Sequence, residues 1–169
     1  MPTARRSRTI AAPAQELWEL VCDPHHLPRW WPRVTRVEDV EDGAFTEVMK
    51  TKKGKLVRAD FNVIRVDRSE LLLTWAQRVE GTPFERVLSS AETDVHLRPA
   101  VRAGASADQD TSDASATEVT LELRQSLAGY SARYGMLAGV APRLGGRMVR
   151  RAAQATLDEA LDGLQRISG

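Results

Sequence analysis

The sequence predicts an α+β fold in which a curved antiparallel β-sheet wraps around one long C-terminal α-helix. Short helical patterns near the N-terminus precede a series of segments whose apolar residues alternate with a period of two. The turns between these segments are too short for helical crossovers, so neighbouring strands must run antiparallel. The C-terminal residues repeat apolar side chains at steps of three and four, which is typical of an amphipathic helix. Such a sheet and such a helix bury both apolar faces when the sheet wraps around the helix.

Length and composition limit the class of protein. The chain has 169 residues, which predicts a single domain over residues 1–169, since domains usually run to about 100–200 residues. The net charge of +1 argues against a nucleic-acid-binding protein, which normally carries a basic excess. A single cysteine excludes an internal disulfide and Cys-rich zinc sites. We see no apolar run long enough to span a membrane and no secretory signal pattern. We therefore expect a cytoplasmic protein that needs no metal and no cofactor.

The N-terminal segment predicts a strand followed by two short helices. The strand covers Arg5–Ala12, and Pro13 is suited to the first turn of a helix, where its missing N–H costs no hydrogen bond. That helix covers Ala14–Cys22 and carries its apolar residues on one face. Asp23-Pro24 ends it. A second short helical segment is predicted over His26–Trp31.

The middle of the chain predicts a meander of antiparallel strands. Pairs such as Asp42-Gly43 and Lys53-Gly54 mark the turns. Residues 103–115 contain no large apolar side chain, so they predict a mobile loop between the last two strands. The predicted strands are Val34–Val40, Ala44–Thr51, Lys55–Val66, Glu70–Glu80, Phe84–Arg98 and Thr117–Leu127.

The C-terminal helix is predicted from about Arg147 to Ile167. Pro142 and Gly145-Gly146 are expected to break any helix that starts earlier. About 20 residues at ~1.5 Å each give a helix of ~30 Å, long enough to cross a small domain. Its apolar positions are Val149, Ala153, Leu157, Leu161 and Leu164.

Alternation within the strands predicts which residues face the interior. On the last strand, Gln125 shares a face with Val119, Leu121, Leu123 and Leu127. Odd positions of the two preceding strands are also expected to point inward, which places Gln77 and Glu85 at the rim of a cavity. The same odd positions place Ser89 and Thr93 on the inner face of the sheet. A carboxylate at a dry rim has a raised pKa and can act as an acid or base. Glu85 and Gln77 are therefore weak catalytic candidates; the alternative is that Glu85 faces solvent at a wet strand end.

The N-terminal residues resemble the START-like, or SRPBCC, superfamily, in its polyketide cyclase/dehydrase and lipid-transport group. The resemblance rests on Thr9-Ile10-Ala11-Ala12-Pro13, on Leu17-Trp18, on Cys22-Asp23-Pro24 and on Leu27 to Val34. The Gly81-Thr82-Pro83-Phe84 hairpin and Leu157 to Leu161 fit the same pattern. The resemblance implies a helix-grip fold with a hydrophobic cavity between the sheet and the long helix. It implies no catalytic residues, because members of the superfamily share no common set of them.

Aromatic and flexible side chains supply the remaining binding candidates. Trp30 and Trp31 are expected near the cavity mouth, where they stack on a flat ligand or, alternatively, pack in the core. The glycine-rich stretch before the long helix is a lid candidate, with a loosely packed connector as the alternative. The predicted ligand-binding residues are Trp30, Trp31, Trp75, Gln77, Glu85, Val87, Tyr130, Tyr134, Met136 and Met148.

Two basic clusters and one histidine pair have structural alternatives. The lysines at 50, 52, 53 and 55 and the arginines at 143, 147, 150 and 151 attract anionic lipid head groups or a phosphorylated ligand, or form solvated edges. His25-His26 has no third well-spaced ligand, which favours a structural loop over a metal site.

Three functional hypotheses remain open at this point. The first is a carrier or sensor that binds a hydrophobic or amphipathic small molecule, such as a lipid, a quinone or a polyketide-like compound. The second is an aromatase/cyclase or dehydratase acting on a polyketide-like substrate in the same cavity. The third is an interaction module that uses its surface. The expected partner is a small hydrophobic ligand and not a nucleic acid. Transient contact with a membrane surface and the choice between monomer and homodimer stay open.

Overall fold

The computed structural model describes residues 3–100, 115–128 and 142–168. Its strands are β1 (Thr3–Ile10), β2 (Val34–Glu41), β3 (Ala44–Lys50), β4 (Leu56–Asp67), β5 (Leu72–Gln77), β6 (Leu88–Pro99) and β7 (Thr117–Leu127). Its helices are α1 (Ala14–Cys22), α2 (Leu27–Trp30) and α3 (Pro142–Ser168), with 3₁₀ turns at Pro24–His26 and Pro83–Arg86. The predicted loop over residues 103–115 lies outside the described residues except for Ser115.

The strands form one antiparallel sheet in the order β1-β7-β6-β5-β4-β3-β2. Strands β2 to β7 follow one another in the chain as a meander, and β1 joins the sheet beside the last strand. Arg6 on β1, for example, lies opposite Leu121 on β7. The predicted α+β class and the antiparallel meander are confirmed, together with the two short helices after the first strand.

Helix α3 packs its apolar stripe against the sheet and against α2. Leu157, Leu161 and Leu164 are completely buried, and burying a side chain of this size contributes ~1.5–3 kcal/mol. Two ion pairs link the helix to β1: Arg6 donates to Asp158 at 3.0 Å, and Arg8 pairs with Asp162. Both pairs are partly exposed to solvent, so each contributes little to stability. The buried apolar stripe therefore contributes most of the free energy that holds α3 on the sheet. No helix in the described part of the chain is long and apolar enough to span a bilayer.

Helices α3 and α2 approach each other closely at Gly163 and Trp30. Gly163 is buried in this crossing. A Cβ atom built on Gly163 would lie 2.3 Å from the carbonyl oxygen of Trp30 and 2.7 Å from its Cα atom. Both are backbone atoms, so no side-chain rotation can relieve the contact. The absence of a side chain at position 163 therefore sets how closely α3 holds Trp30 over the sheet.

The outer face of the sheet carries charged residues around one arginine. Arg124 on β7 donates to Asp94 at 3.1 Å and to Glu92 at 3.1 Å, both on β6. Burial acts to raise the pKa of Asp94, but the hydrogen bonds from Arg124 and Thr74 hold the pKa below its ordinary value. The charged residues that surround Arg124 on β6 and β7 thus lie on the outer face of the sheet.

Three sequence-based boundaries are corrected by the structure. Strand β6 begins at Leu88, not at Phe84, because Pro83–Arg86 form a 3₁₀ turn in which the Thr82 hydroxyl accepts from the Phe84 N–H. Strand β5 covers only Leu72–Gln77 of the predicted Glu70–Glu80. Helix α3 begins at Pro142, not near Arg147, since proline is tolerated in a first helical turn.

We predict that the substitution Gly163→Ala lowers the free energy of unfolding by ~1–3 kcal/mol, the usual cost of forcing an extra methyl group into a packed site. Urea unfolding measures it. Gly146→Ala is the matched control on the same helix, because nothing lies within 4 Å of a Cβ atom there. That control should be neutral or stabilising, since alanine favours a helix by about 1 kcal/mol over glycine. Equal effects of the two substitutions would contradict the close packing of α3 on α2.

Candidate functional site

An aromatic cluster lies on the inner face of the sheet beneath α2. The Trp75 ring on β5 contacts Trp30, Trp31 and Phe45 edge-on, with centroid distances of 6.4, 5.6 and 6.5 Å. Phe45 on β3 stacks on Phe61 on β4 at 5.3 Å. Trp30 and Trp75 are buried, whereas Trp31 is half-buried. The structure thus brings together the three tryptophans that the sequence singled out.

The buried apolar residues of the described chain form two separate clusters, with polar side chains between them. The main cluster contains the tryptophans and the α3 leucines. The smaller one contains Val79, Leu88 and Ala91, with Phe84 and Leu127 against it. On each of three adjacent strands one polar residue separates members of the two clusters on the inner face. We call these residues the polar belt: Gln77 on β5 between Trp75 and Val79, Thr93 on β6 between Val95 and Ala91, and Gln125 on β7 between Leu123 and Leu127.

Glu47 on β3 is a buried acid among apolar neighbours. It shares the inner face with Phe45 and Met49, because alternate residues of a strand point the same way. Val37 on β2 and Ala59 on β4 lie directly opposite it. Its side chain is 1% exposed, and its Oε1 atom has no hydrogen-bond partner among the described residues. Burial raises the pKa of this carboxyl to about 8. The group is therefore mostly protonated at neutral pH and can donate a hydrogen bond.

Two further polar atoms are also buried without a hydrogen-bond partner. The Trp30 Nε1 and Gln77 Nε2 atoms are buried and lack hydrogen-bond partners within the described part of the chain. Phe61 pairs with both Phe45 and Gln77, so Gln77 is level with Phe45 on the inner face. Glu47 lies one two-residue step further along, ~7 Å at the usual rise of a strand. Gln77 and Glu47 thus lie on the same face of the sheet, on strands separated by β4, and buried polar groups such as these normally have partners.

Sequence reasoning missed Glu47 as a site residue. The two-residue spacing shows that Glu47 shares a strand face with Phe45. However, β3 is buried on both faces, because Thr46 and Val48 are also buried. Alternation therefore gave no contrast between an inner and an outer set on this strand. The available signal was a lone acid within a run of apolar residues.

The inward orientation predicted for Glu85 is wrong. Glu85 lies in the second 3₁₀ turn and is exposed, and its carboxylate accepts the Gly81 N–H at 2.9 Å. The 3₁₀ turn removes these residues from the alternation of the strand. For the same reason Val87 ends that turn with 52% of its surface exposed, and Ser89 is exposed beside the register shift at the start of β6.

Of the predicted entrance residues, the structure describes only Met148, which does not belong to the aromatic cluster. Met148 is 73% exposed on α3, where it lines a surface cleft with Arg147, Arg150, Arg151 and Gln154. Tyr130, Tyr134 and Met136 fall outside the described residues. The inward orientation predicted for Gln77, Trp75 and Thr93 agrees with the structure. Ligand binding by these residues stays a prediction.

The paired histidines form part of a turn. The Asp23 carboxylate accepts the His25 backbone N–H at 3.0 Å and lies 2.9 Å from its Nδ1 atom. This arrangement caps the first 3₁₀ turn and leads the chain from α1 into α2. The contact therefore helps to place Trp30 and Trp31 over the sheet.

Comparison with protein families gives a match over the whole sequence. Residues 1–169 match the profile of the family described as polyketide cyclase / dehydrase and lipid transport. A comparison with curated protein sequences found no match.

Solved structures with the same fold include two aromatase/cyclases and a START superfamily protein. The di-domain ARO/CYC BexL from the BE-7585A biosynthetic pathway has a TM-score of 0.72 at 18% identity, and the match covers 98% of this chain and 46% of BexL. The present chain therefore spans about half the length of that di-domain protein. The Zhui aromatase/cyclase from Streptomyces sp. R1128 has a TM-score of 0.70 at 17% identity, with 98% and 92% of the two chains covered. A START superfamily protein from Mycobacterium smegmatis has a TM-score of 0.68 at 13% identity, covering 98% and 96%. At these identities the likeness establishes the helix-grip fold.

We predict that Glu47→Gln changes how stability depends on pH. Between the ordinary carboxyl pKa of 4.5 and the folded value of about 8, the unfolded chain releases the Glu47 proton while the folded chain keeps it. The wild-type free energy of unfolding should therefore fall with rising pH in this window, by up to ~1.4 kcal/mol per pH unit from this group. The variant lacks this contribution, so its stability relative to wild type should increase from about pH 5 to about pH 8. Urea unfolding across this range measures the difference, and parallel curves would contradict a buried neutral Glu47.

Proposed function

The chain belongs to the polyketide cyclase/dehydrase and lipid transport family, and we propose that it binds a hydrophobic or amphipathic small molecule between the sheet and α3, as a carrier or sensor. The observation that carries this proposal is the set of buried polar groups on an otherwise apolar inner face. Trp30, Glu47 and Gln77 each hold a buried polar atom without a partner among the described residues.

The arrangement of apolar and polar groups supports an amphipathic ligand. The tryptophan cluster offers a large apolar surface with edges and faces that pack well against flat or chain-like molecules. The polar belt and Glu47 lie next to it and offer hydrogen bonds. An interior built only for stability would replace these groups with apolar ones, since an unpartnered buried polar group costs ~1–3 kcal/mol. Ligand pockets commonly combine apolar walls with a few polar groups in this way.

A second candidate function is an aromatase/cyclase or dehydratase, and the observation that favours it is the burial of the Glu47 carboxyl on the inner face, which raises its pKa. A carboxyl with a pKa near 8 exchanges its proton readily at neutral pH, as a general acid or base requires. In a dehydration, the neutral carboxyl gives its proton to a departing hydroxyl, which leaves as water. The resulting carboxylate takes a proton from the carbon next to a carbonyl, which restores the acid. For an enzyme of this kind, Glu47→Gln retains substrate binding but loses turnover, whereas a carrier has no turnover to lose.

We predict that native mass spectrometry of the wild type, after incubation with a small-molecule extract of the expression host, shows a bound molecule that is released on denaturation. Ala59→Phe should reduce its occupancy, because Ala59 is buried on the inner face directly opposite Glu47 and a phenyl ring takes up the adjoining space. Ile64→Phe on the same strand is the matched control, since Ile64 is 55% exposed. Circular dichroism confirms that both variants fold.

Two outcomes would contradict the proposed function. A wild-type protein that retains nothing from the extract would argue against an internal binding site. Equal occupancy in Ala59→Phe and Ile64→Phe would place the bound molecule outside the interior.

A further inference from the structure

We propose that one end of the molecule docks on an anionic lipid surface. This end, called here the basic end, consists of residues 50–56 at the tip of the β3–β4 hairpin and residues 147–151 in the first turns of α3. It carries exposed cations without ion-pair partners among the described residues, with exposed apolar side chains beside them. The inference concerns the outer surface and does not depend on what the interior binds.

The sheet register places both parts of the basic end at the same end of the molecule. Neighbouring strands are antiparallel, so the β3–β4 hairpin lies at the end of the sheet where β1 begins. Helix α3 runs in the same direction as β1, as the successive ion pairs of Arg6 and Arg8 with the helix show. Residues 147–151 precede Asp158, the partner of Arg6, by ~10–17 Å of helix, whereas the first residue of β1 precedes Arg6 by ~10 Å of strand. The first turns of α3 therefore reach the level at which β1 begins or extend past it.

The hairpin part of the basic end holds its lysines on a closed turn. The Thr51 N–H donates to the Lys55 carbonyl at 2.8 Å, and the Lys55 N–H donates to the Thr51 hydroxyl at 3.0 Å. Leu56, at the base of the turn, is 50% exposed. The lysines are all exposed, and no ion pair engages them within the described part of the chain: Lys50, Lys52, Lys53 and Lys55.

The helical part of the basic end combines cations with an exposed apolar side chain. Arg147, Arg150 and Arg151 line a surface cleft together with Met148 and Gln154. Met148 is 73% exposed, and the three arginines are exposed without ion-pair partners among the residues that the structure describes. Two arginines of β1, by contrast, pair with acids further along the same helix. The cations of the basic end are thus available to an external anionic group.

The two ends of the sheet differ in charge, although the net charge of the whole chain is only +1. The β5–β6 connection, at the same end as the lysine hairpin, adds two arginines and two glutamates and so leaves the basic excess unchanged. The opposite end carries exposed charges of both signs: Glu41, Asp42, Arg68, Glu70 and Arg98. A concentration of one sign at one end attracts an oppositely charged surface and orients the approaching molecule. The basic end is therefore the end that meets an anionic surface.

The exposed apolar side chains beside the cations favour a lipid surface over an acidic protein or a nucleic acid. At an anionic bilayer, lysines and arginines contact the head groups, while apolar side chains enter the boundary between head groups and acyl chains. Lysine is depleted at protein–protein interfaces. A nucleic-acid backbone binds mainly through charge, so it would leave Leu56 and Met148 without a favourable contact. The combination of lysines, arginines and isolated apolar side chains fits a membrane interface best.

Vesicle sedimentation with the full chain tests the docking. The probes are vesicles of phosphatidylcholine alone and vesicles in which about one third of the lipid is phosphatidylglycerol, which is anionic. We expect the protein to partition onto the anionic vesicles at least about tenfold more strongly than onto the neutral ones. This partition should weaken when the ionic strength rises from about 0.1 M to about 0.5 M, because salt screens exposed charges.

Charge-neutralising variants locate the docking surface. The double substitution Lys52→Gln with Lys53→Gln should reduce partition onto the anionic vesicles at least about tenfold. The matched control is Arg68→Gln with Arg98→Gln, which removes the same charge from the opposite end, where both arginines are exposed. This control should keep the wild-type partition to within about twofold.

Further variants test the helical part and the apolar contact separately. Arg150→Gln with Arg151→Gln should weaken partition as the hairpin variant does, because both arginines line the cleft beside Met148. Leu56→Ser should also weaken it, whereas Ile64→Ser should not. Ile64 is the matched control, since it is 55% exposed on the same strand but lies towards the opposite end. Circular dichroism confirms that these surface variants fold.

Three results would overturn the inference. The first is equal binding to the two kinds of vesicle, or binding to neither. The second is an equal loss in the hairpin variant and in the Arg68→Gln, Arg98→Gln control, which would mean that the attraction reflects net charge and not the basic end. The third is an equal effect of Leu56→Ser and Ile64→Ser, which would remove the apolar contact that favours a bilayer. None of these results bears on the proposed function, because binding in the interior needs no lipid surface.

Discussion

The burial of the α3 leucine stripe is the interaction on which the remaining structure depends. Leu157, Leu161 and Leu164 are completely buried between the sheet and α2, and the glycine at 163 lets the two helices touch backbone to backbone. This contact fixes α2 over the inner face. It thereby brings Trp30 and Trp31 against Trp75, on the same face of the sheet as Glu47 and the polar belt.

The inner face of the sheet carries a buried carboxyl that selection for stability alone would not favour. A carboxyl at 1% exposure among apolar neighbours lowers the free energy of unfolding at neutral pH, because the unfolded chain gains the ionised form. Natural proteins accept such local costs mainly where a site needs them. Arg124 on the outer face shows the contrast: there Glu92 and Asp94 have a cation and hydrogen bonds within 3.1 Å. Glu92 and Asp94 thus have partners within the protein, whereas the Glu47 Oε1 atom has none among the described residues.

Much of the fold could be predicted from the sequence because its signals are periodic. The step of three and four predicted the buried leucines of α3, and the period of two predicted the inward row of Val95, Leu97, Val119 and Leu121, all of which are buried. The prediction failed where periodicity gives way to local hydrogen bonding. Glu85 and Val87 were assigned to a strand, but the Thr82 hydroxyl and Pro83 start a 3₁₀ turn there, which turns both side chains to solvent.

The site was harder to predict than the fold, and for a physical reason. Glu47 matters because of what surrounds it in space: Val37 and Ala59 from two other strands, together with Phe45 and Met49 from its own. No alternation pattern on a strand buried on both faces distinguishes this environment from that of Thr46. The tryptophans stand out as candidates in the sequence because they are large and few, but only the register of β4 and β5 shows that Gln77 lies opposite Phe61.

The measurement that tests this account most directly is the titration of the Glu47 carboxyl carbon by ¹³C NMR, with its resonance assigned by comparison with Glu47→Gln. The account predicts a pKa of about 8 in the folded protein, so the resonance should report a neutral carboxylic acid at pH values around 6 to 7. A Glu47 carboxyl that titrates near its ordinary pKa of 4.5 would mean that water or a charge partner reaches it, and it would contradict a buried, neutral carboxyl on the inner face of the sheet.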